Sequence, residues 1–133
     1  MNEQLRQQVI RRADQRCEYC HIPQAHDVLP FQIDHIIAIK HHGSSDVSNL
    51  ALACFNCNSF KGPNIAGIDQ TSQTVTRLFH PRQDQWHDHF IWNDAVLNGR
   101  TSIGEVTIDV LSINLPERMD LRRYLMALNV DFS

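Results

Sequence analysis

A chain of 133 residues, 42% hydrophobic and 20% charged, has the composition of a folded soluble protein and the size of one small domain. About two thirds of the unfolded surface can be buried at this length, which is enough for a thin core. The longest unbroken apolar run, Leu50 to Phe55, spans six residues and excludes a transmembrane helix. The polar start, Met1-Asn2-Glu3-Gln4-Leu5-Arg6, lacks the apolar stretch of a secretion signal, so a cytoplasmic protein is expected. Twelve basic residues against fifteen acidic ones leave a net charge of −3. Four thiolates on one zinc ion would add a further −2, giving −5. Bulk attraction to nucleic acid is therefore excluded, and any such role needs a local basic face, a metal site or a partner.

In chain order, residues 3–16 read as a helix, with Leu5, Val9 and Ala13 on one face. Cys17-Glu18-Tyr19-Cys20 is a tight turn, followed by a loop punctuated by Pro23 and Pro30. Phe31 to Ile39 reads as a strand, His41 to Ser48 as a loop, and Asn49 to Ala53 as a second strand. The two strands should pair as an antiparallel hairpin. Cys54-Phe55-Asn56-Cys57 opens a short helix that Gly62-Pro63 ends. Beyond Gly67 the periodic signal weakens. Gln83 to Phe90 is expected to be a short helix and Ile91-Trp92 a strand; Asn98-Gly99 should form a turn, and Val106 to Ile113 a β-rich segment. Pro116 to Leu128 closes the chain as a helix with Leu121, Leu125 and Leu128 on one face. No repeat, low-complexity tract or linker interrupts the chain.

All four cysteines fall in two Cys-x-x-Cys pairs, Cys17/Cys20 and Cys54/Cys57. Two such knuckles are the usual way to present four sulfurs to one structural zinc ion. The 33 residues between Cys20 and Cys54 suit a hairpin inserted between them. The missing secretion signal argues against disulfides. A redox motif needs one pair and leaves the second unexplained. Four thiolates leave no open coordination position, so the zinc site should be structural.

Between and after the knuckles stand Asp34-His35, then Asn49, then Asn58 directly after Cys57. Singly, Asp34 reads as well as a turn acceptor and Asn49 as a strand-start cap. In combination with the cysteines, Ile33-Asp34-His35-Ile36, Ser48-Asn49-Leu50 and Cys54-x-x-Cys57-Asn58-x-x-Lys61 resemble the HNH endonucleases with the ββα-metal fold. The resemblance covers residues 12–65 closely. Leu78-Phe79-His80-Pro81-Arg82 and Trp86-x-x-His89-Phe90 resemble the C-terminal extension of one bacterial HNH subfamily.

The resemblance implies an α+β fold: a hairpin-helix core on the zinc knuckles over residues 1–66, with a small β-rich and helical extension over 67–133, forming one compact domain. It implies DNA hydrolysis one strand at a time, leaving 5′-phosphate and 3′-hydroxyl ends. His35 would act as general base. Asp34 and Asn58 would hold a divalent ion that stabilises the leaving 3′-oxygen, and Asn49 would brace the hairpin loop and keep the His35 ring aimed. A carboxylate and an amide offer hard oxygens, which favours Mg²⁺ or Mn²⁺ over Zn²⁺ there.

Lys61 reads equally as a phosphate contact or as the cap of a helix C-terminus. Arg82 reads as a phosphate contact by its bidentate geometry. His41 and His42 are expected in solvent, and His89 as a packed histidine. Trp86, Phe90 and Trp92 are expected to pack the extension onto the zinc core. Where relatives of the subfamily carry an arginine after the Thr-x-x-Gly segment, this chain has Glu105 after Thr101-Ser102-Ile103-Gly104. That implies a weaker grip on DNA, or a tail that docks a protein partner or a second copy. Two other readings stay open: a zinc-binding docking module without catalysis, and a nuclease or toxin that cuts RNA.

Overall fold

The computed structural model describes residues 1–133. Helix α1 (Glu3–Arg12) starts at Asn2, whose Oδ1 accepts from the Leu5 N–H at 2.8 Å. It stops short of the expected Arg16 because Asp14 and Gln15 turn left-handed, with φ of 54° and 58°. The Arg12 guanidinium then reaches across to donate to the Val47 carbonyl at 2.9 Å and to the Leu50 carbonyl, tying α1 to the hairpin.

Strands β1 (Gln32–His35) and β2 (Leu50–Ala53) pair antiparallel, with Asp34 opposite Ala51 and His35 opposite Leu50. β1 is shorter than the apolar run Phe31–Ile39 suggests. The Asn49 side chain takes over the backbone groups of Ile37, which would otherwise continue the ladder. β2 leads through Cys54 into α2 (Phe55–Lys61), and Gly62, at φ 50°, ends the helix.

Three two-stranded sheets make up the β structure. After the first hairpin come β3 (Ala66–Ile68) with β4 (Val75–Arg77), which the sequence reading missed, and then β5 (Phe90–Asn93) with β6 (Val96–Gly99). The one-turn helix α3 (Trp86–His89) precedes β5. Asn98-Gly99 is not a turn. Asp94-Ala95 makes the reversal, and Gly99 lies in β6 where a Cβ would sit 2.4 Å from the Glu105 backbone nitrogen.

Val106 to Ile113 is not β-rich either: α4 spans Ser102–Val110. Thr101 caps it by accepting from the Gly104 N–H at 3.1 Å. Its inward residues Gly104, Val106, Thr107 and Leu111 follow helical spacing, which overrides the β preference of Val, Ile and Thr. Thr101-x-x-Gly104 is thus a helix start. A final helix, α5 (Pro116–Ala127), completes the chain, but its inward stripe is Arg118, Arg122 and Leu125, and Leu128 is exposed.

One apolar core runs through both halves of the chain, from Val9 and Tyr19 to Leu111 and Leu125. Polar contacts join the halves too. The Trp86 indole N–H donates to the Tyr19 carbonyl at 2.9 Å, and His21 stacks on the Trp86 ring at 3.8 Å. Arg122, fully buried, donates to the Ala95 and Ile113 carbonyls and to Asn114 Oδ1 at 2.7, 2.9 and 2.8 Å. No helix is long and apolar enough to cross a membrane.

The four cysteines, all buried and none in a disulfide, bring their sulfurs within 4.8 Å of one another. Cys20 and Cys54 Sγ lie 3.8 Å apart, against an edge of about 3.8 Å for a tetrahedron built on 2.3 Å zinc–sulfur bonds. Backbone N–H groups of Cys20 and Cys57 point at Cys17 and Cys54 Sγ, at 3.4 and 3.3 Å. Arg118 donates to Cys54 Sγ at 3.6 Å while forking onto Asp27 at 3.1 and 2.9 Å. Buried thiols in this arrangement, with a cation beside them, fit one zinc ion. Purified protein should carry one zinc per chain by elemental analysis. Cys54→Ser should lose it together with the cooperative thermal transition, and a metal-free variant with unchanged melting would contradict this.

Candidate active site

Successive side chains of a strand face opposite sides, so Asp34 and His35 leave β1 in different directions. Asp34 points inward and is 3% exposed. Its Oδ2 accepts from the Tyr19 hydroxyl at 2.6 Å, and its Oδ1 from Lys61 Nζ at 3.2 Å. Burial pushes the Asp34 carboxyl above the ordinary carboxylate range, opposed by the Lys61 charge and by both hydrogen bonds. The Tyr19 hydroxyl is pushed well above its ordinary value by burial, and further by the Asp34 charge.

Lys61 is the last residue of α2 and only 1% exposed. Its ammonium also donates to the His35 and Ile36 carbonyls at 3.2 and 3.0 Å, so all three of its protons have acceptors. Of the two readings of Lys61, neither describes this arrangement: it is an internal cation bonded to Asp34 and to the end of β1.

His35 lies half-buried on the other side of the strand. Its Nε2 is 3.0 Å from Ser45 Oγ, and Nδ1 has no partner within the protein. The loop carrying Ser45 is closed by Asn49. The Asn49 Oδ1 accepts from the Ile37 N–H at 2.9 Å, while Nδ2 donates to the Ile37 and Ser44 carbonyls at 2.9 and 2.7 Å. Gly43 completes the closure, since a Cβ there would fall 1.7 Å from the Ile37 carbonyl oxygen.

Asn58 sits on α2 directly after the second knuckle, half-buried, and its amide makes no hydrogen bond within the protein. Helix α2 packs against both strands of the hairpin, which brings Asn58 and Lys61 to the element that bears Asp34 and His35. Asp34 and Asn58 both carry hard oxygen atoms. The carboxylate uses two of its roughly four lone-pair positions on Tyr19 and Lys61, and the Asn58 amide is free. That donor set suits a hard divalent cation better than zinc.

Arg82 is engaged elsewhere, in an ion pair with Glu18 of the first knuckle. It also lines a polar cavity of about 420 Å³ with His42, Ser44, Asn49, His80 and Gln83. His80 Nδ1 accepts from the backbone N–H groups of Arg82 and Gln83 at 3.1 and 3.2 Å, and burial lowers its pKa. His42 is exposed, and His89 is hydrogen-bonded to Thr101 Oγ1 through Nδ1 at 2.6 Å. Sequence reasoning missed Tyr19, Ser45 and Arg118. Tyr19 alone carried a signal, by its place inside the first Cys-x-x-Cys.

Comparison with known proteins agrees with this geometry at the level of the family. The family model described as HNH endonuclease matches residues 17–64, from the first cysteine to just beyond α2. No curated protein and no solved structure matches the chain. The matched segment holds both knuckles, the hairpin, Asp34-His35, Asn49 and Asn58. Over residues 17–64, about a third of its length, the chain thus matches the HNH endonuclease domain, and the four cysteines at the base of that segment are placed to hold a metal ion.

Proposed function

We propose that this protein is a metal-dependent endonuclease that hydrolyses DNA phosphodiester bonds one strand at a time, with His35 as general base. The observation that carries the reading is the state of His35. One ring nitrogen is anchored to Ser45, on a loop held shut by Asn49, and the other has no hydrogen-bond partner within the protein. Proton transfer to a positioned imidazole is worth roughly 10²- to 10⁴-fold in rate.

Asp34 and Asn58 would hold a Mg²⁺ or Mn²⁺ ion, which when bound supplies positive charge against the phosphate and the leaving 3′-oxygen. Tyr19 fixes the rotamer of Asp34 through its hydroxyl. No helix of the fold stands out as a groove reader, so little base specificity is expected. With a net charge of −3, affinity for DNA should be weak without a partner or a second copy. Arg82 is a candidate phosphate contact through the cavity it shares with Asn49 and His80, once it is released from Glu18.

A zinc-binding docking module is the second reading. The observation in its favour is that Lys61 already neutralises Asp34. Supercoiled plasmid with Mg²⁺ separates the two. Nicked circles should appear before linear DNA, and both EDTA and His35→Ala should suppress them, the latter by roughly 10²-fold or more. Inert wild type of intact fold and zinc content would favour the docking module; preferential cutting of RNA would replace the substrate class. A second expectation concerns Asn49. Asn49→Ala removes three hydrogen bonds and should cost about 3 kcal/mol in urea unfolding, with a fall in cleavage as the Ser45 loop loosens. Full cleavage with the loop loosened would contradict the anchoring of His35.

A further inference from the structure

The ammonium of Lys61 and a divalent ion compete for one carboxylate. Lys61 Nζ stands 3.2 Å from Asp34 Oδ1, and the other carboxylate oxygen is taken by the Tyr19 hydroxyl. Both partners are closed off from water, at 1% and 3% exposure. Magnesium binds oxygen at about 2.0–2.1 Å. An ion on Asp34 would therefore lie within a few ångströms of a fixed positive charge, in surroundings that screen poorly.

Lys61 also has somewhere to go. It is the last residue of α2, next to the left-handed Gly62, where a helix opens most easily. Lys61 lines a cavity of about 190 Å³ with Ile36, Ile65, Arg77, His80 and Gln83, where the Arg77 guanidinium is already paired with Asp84. Lysine's three donors rotate on a flexible stem, so exchanging partners requires little rearrangement of the backbone.

We infer that Lys61 is a tethered counter-ion of Asp34, which a divalent cation must displace into the adjoining cavity before it can take the carboxylate. Lys61 thus keeps the site neutral without metal and sets its metal affinity low. It is a positioning residue acting through Asp34. The inference rests on the reading of Asp34 as an ion ligand under Proposed function.

The test is Mn²⁺ binding to the zinc-loaded full chain by calorimetry, in wild type, Asp34→Asn, Lys61→Met and Lys61→Arg. Lys61→Met should bind Mn²⁺ at least about tenfold more tightly than wild type, and Lys61→Arg, which keeps the charge, within about threefold of it. Binding by wild type that Asp34→Asn abolishes would establish Asp34 as the ligand. With that in hand, unchanged or weaker binding by Lys61→Met overturns the inference alone. No Mn²⁺ binding by any variant, Lys61→Met included, overturns the ligand reading as well.

Should Lys61→Met fail to fold, wild type itself supplies the second measurement. The chain has only two lysines, Lys40 and Lys61, so both side-chain nitrogens are readily followed by NMR after ¹⁵N-lysine labelling. Saturating Mg²⁺ should move the Lys61 Nζ signal and leave that of exposed Lys40 in place. A Lys61 signal unmoved at saturation would overturn the displacement.

Discussion

Four sulfurs meeting at one point is the constraint on which the rest of this structure depends. Cys17 and Cys20 are separated from Cys54 and Cys57 by 33 residues, and the hairpin of β1 and β2 fills that interval. Once the knuckles are joined, the hairpin has both ends fixed. Asp34 is then held from both sides of the metal centre. Tyr19, inside the first knuckle, binds one carboxylate oxygen, and Lys61, one helical turn beyond the second, binds the other. A buried carboxylate is costly unless it is paired and hydrogen-bonded, and the knuckles supply both partners.

The second half of the chain buttresses this centre. Arg118 of α5 reaches a cysteine sulfur, and Trp86 holds the backbone of the first knuckle through Tyr19. Cation and thiolate attract, so α5 helps to offset the negative charge that four thiolates bring to a closed site. Arg122 lies deeper, donating to two backbone carbonyls and to Asn114 Oδ1, with its guanidinium over the Trp92 ring at 5.3 Å. The extension that lies beyond the family match is thus part of the shell around the metal site.

The parts of the fold that the sequence announced are those where local chemistry and tertiary structure agree. The paired Cys-x-x-Cys motifs, the hairpin between them and the helix ended by Gly62 are of this kind. Val106–Ile113 misled because β-branched residues were read by propensity, whereas the decisive signals were the Thr101 cap and the close approach at Gly99 and Gly104. Asn98-Gly99 misled for the same reason: that glycine serves contact with α4. In the site, residue types at the right spacing were legible. Their partners were harder to read: Ser45 reaches His35 through tertiary proximity alone, and Tyr19, marked only by its place in the first knuckle, reaches Asp34 across the fold.

A metal centre that holds the hairpin and α2 in register should make the order of both depend on the zinc. Hydrogen exchange measured by mass spectrometry, before and after the zinc is withdrawn by a chelator, tests it most directly. Segments 31–37 and 50–61 should lose protection together, in a single step. Retention of protection by 31–37 after the zinc has gone would contradict that dependence.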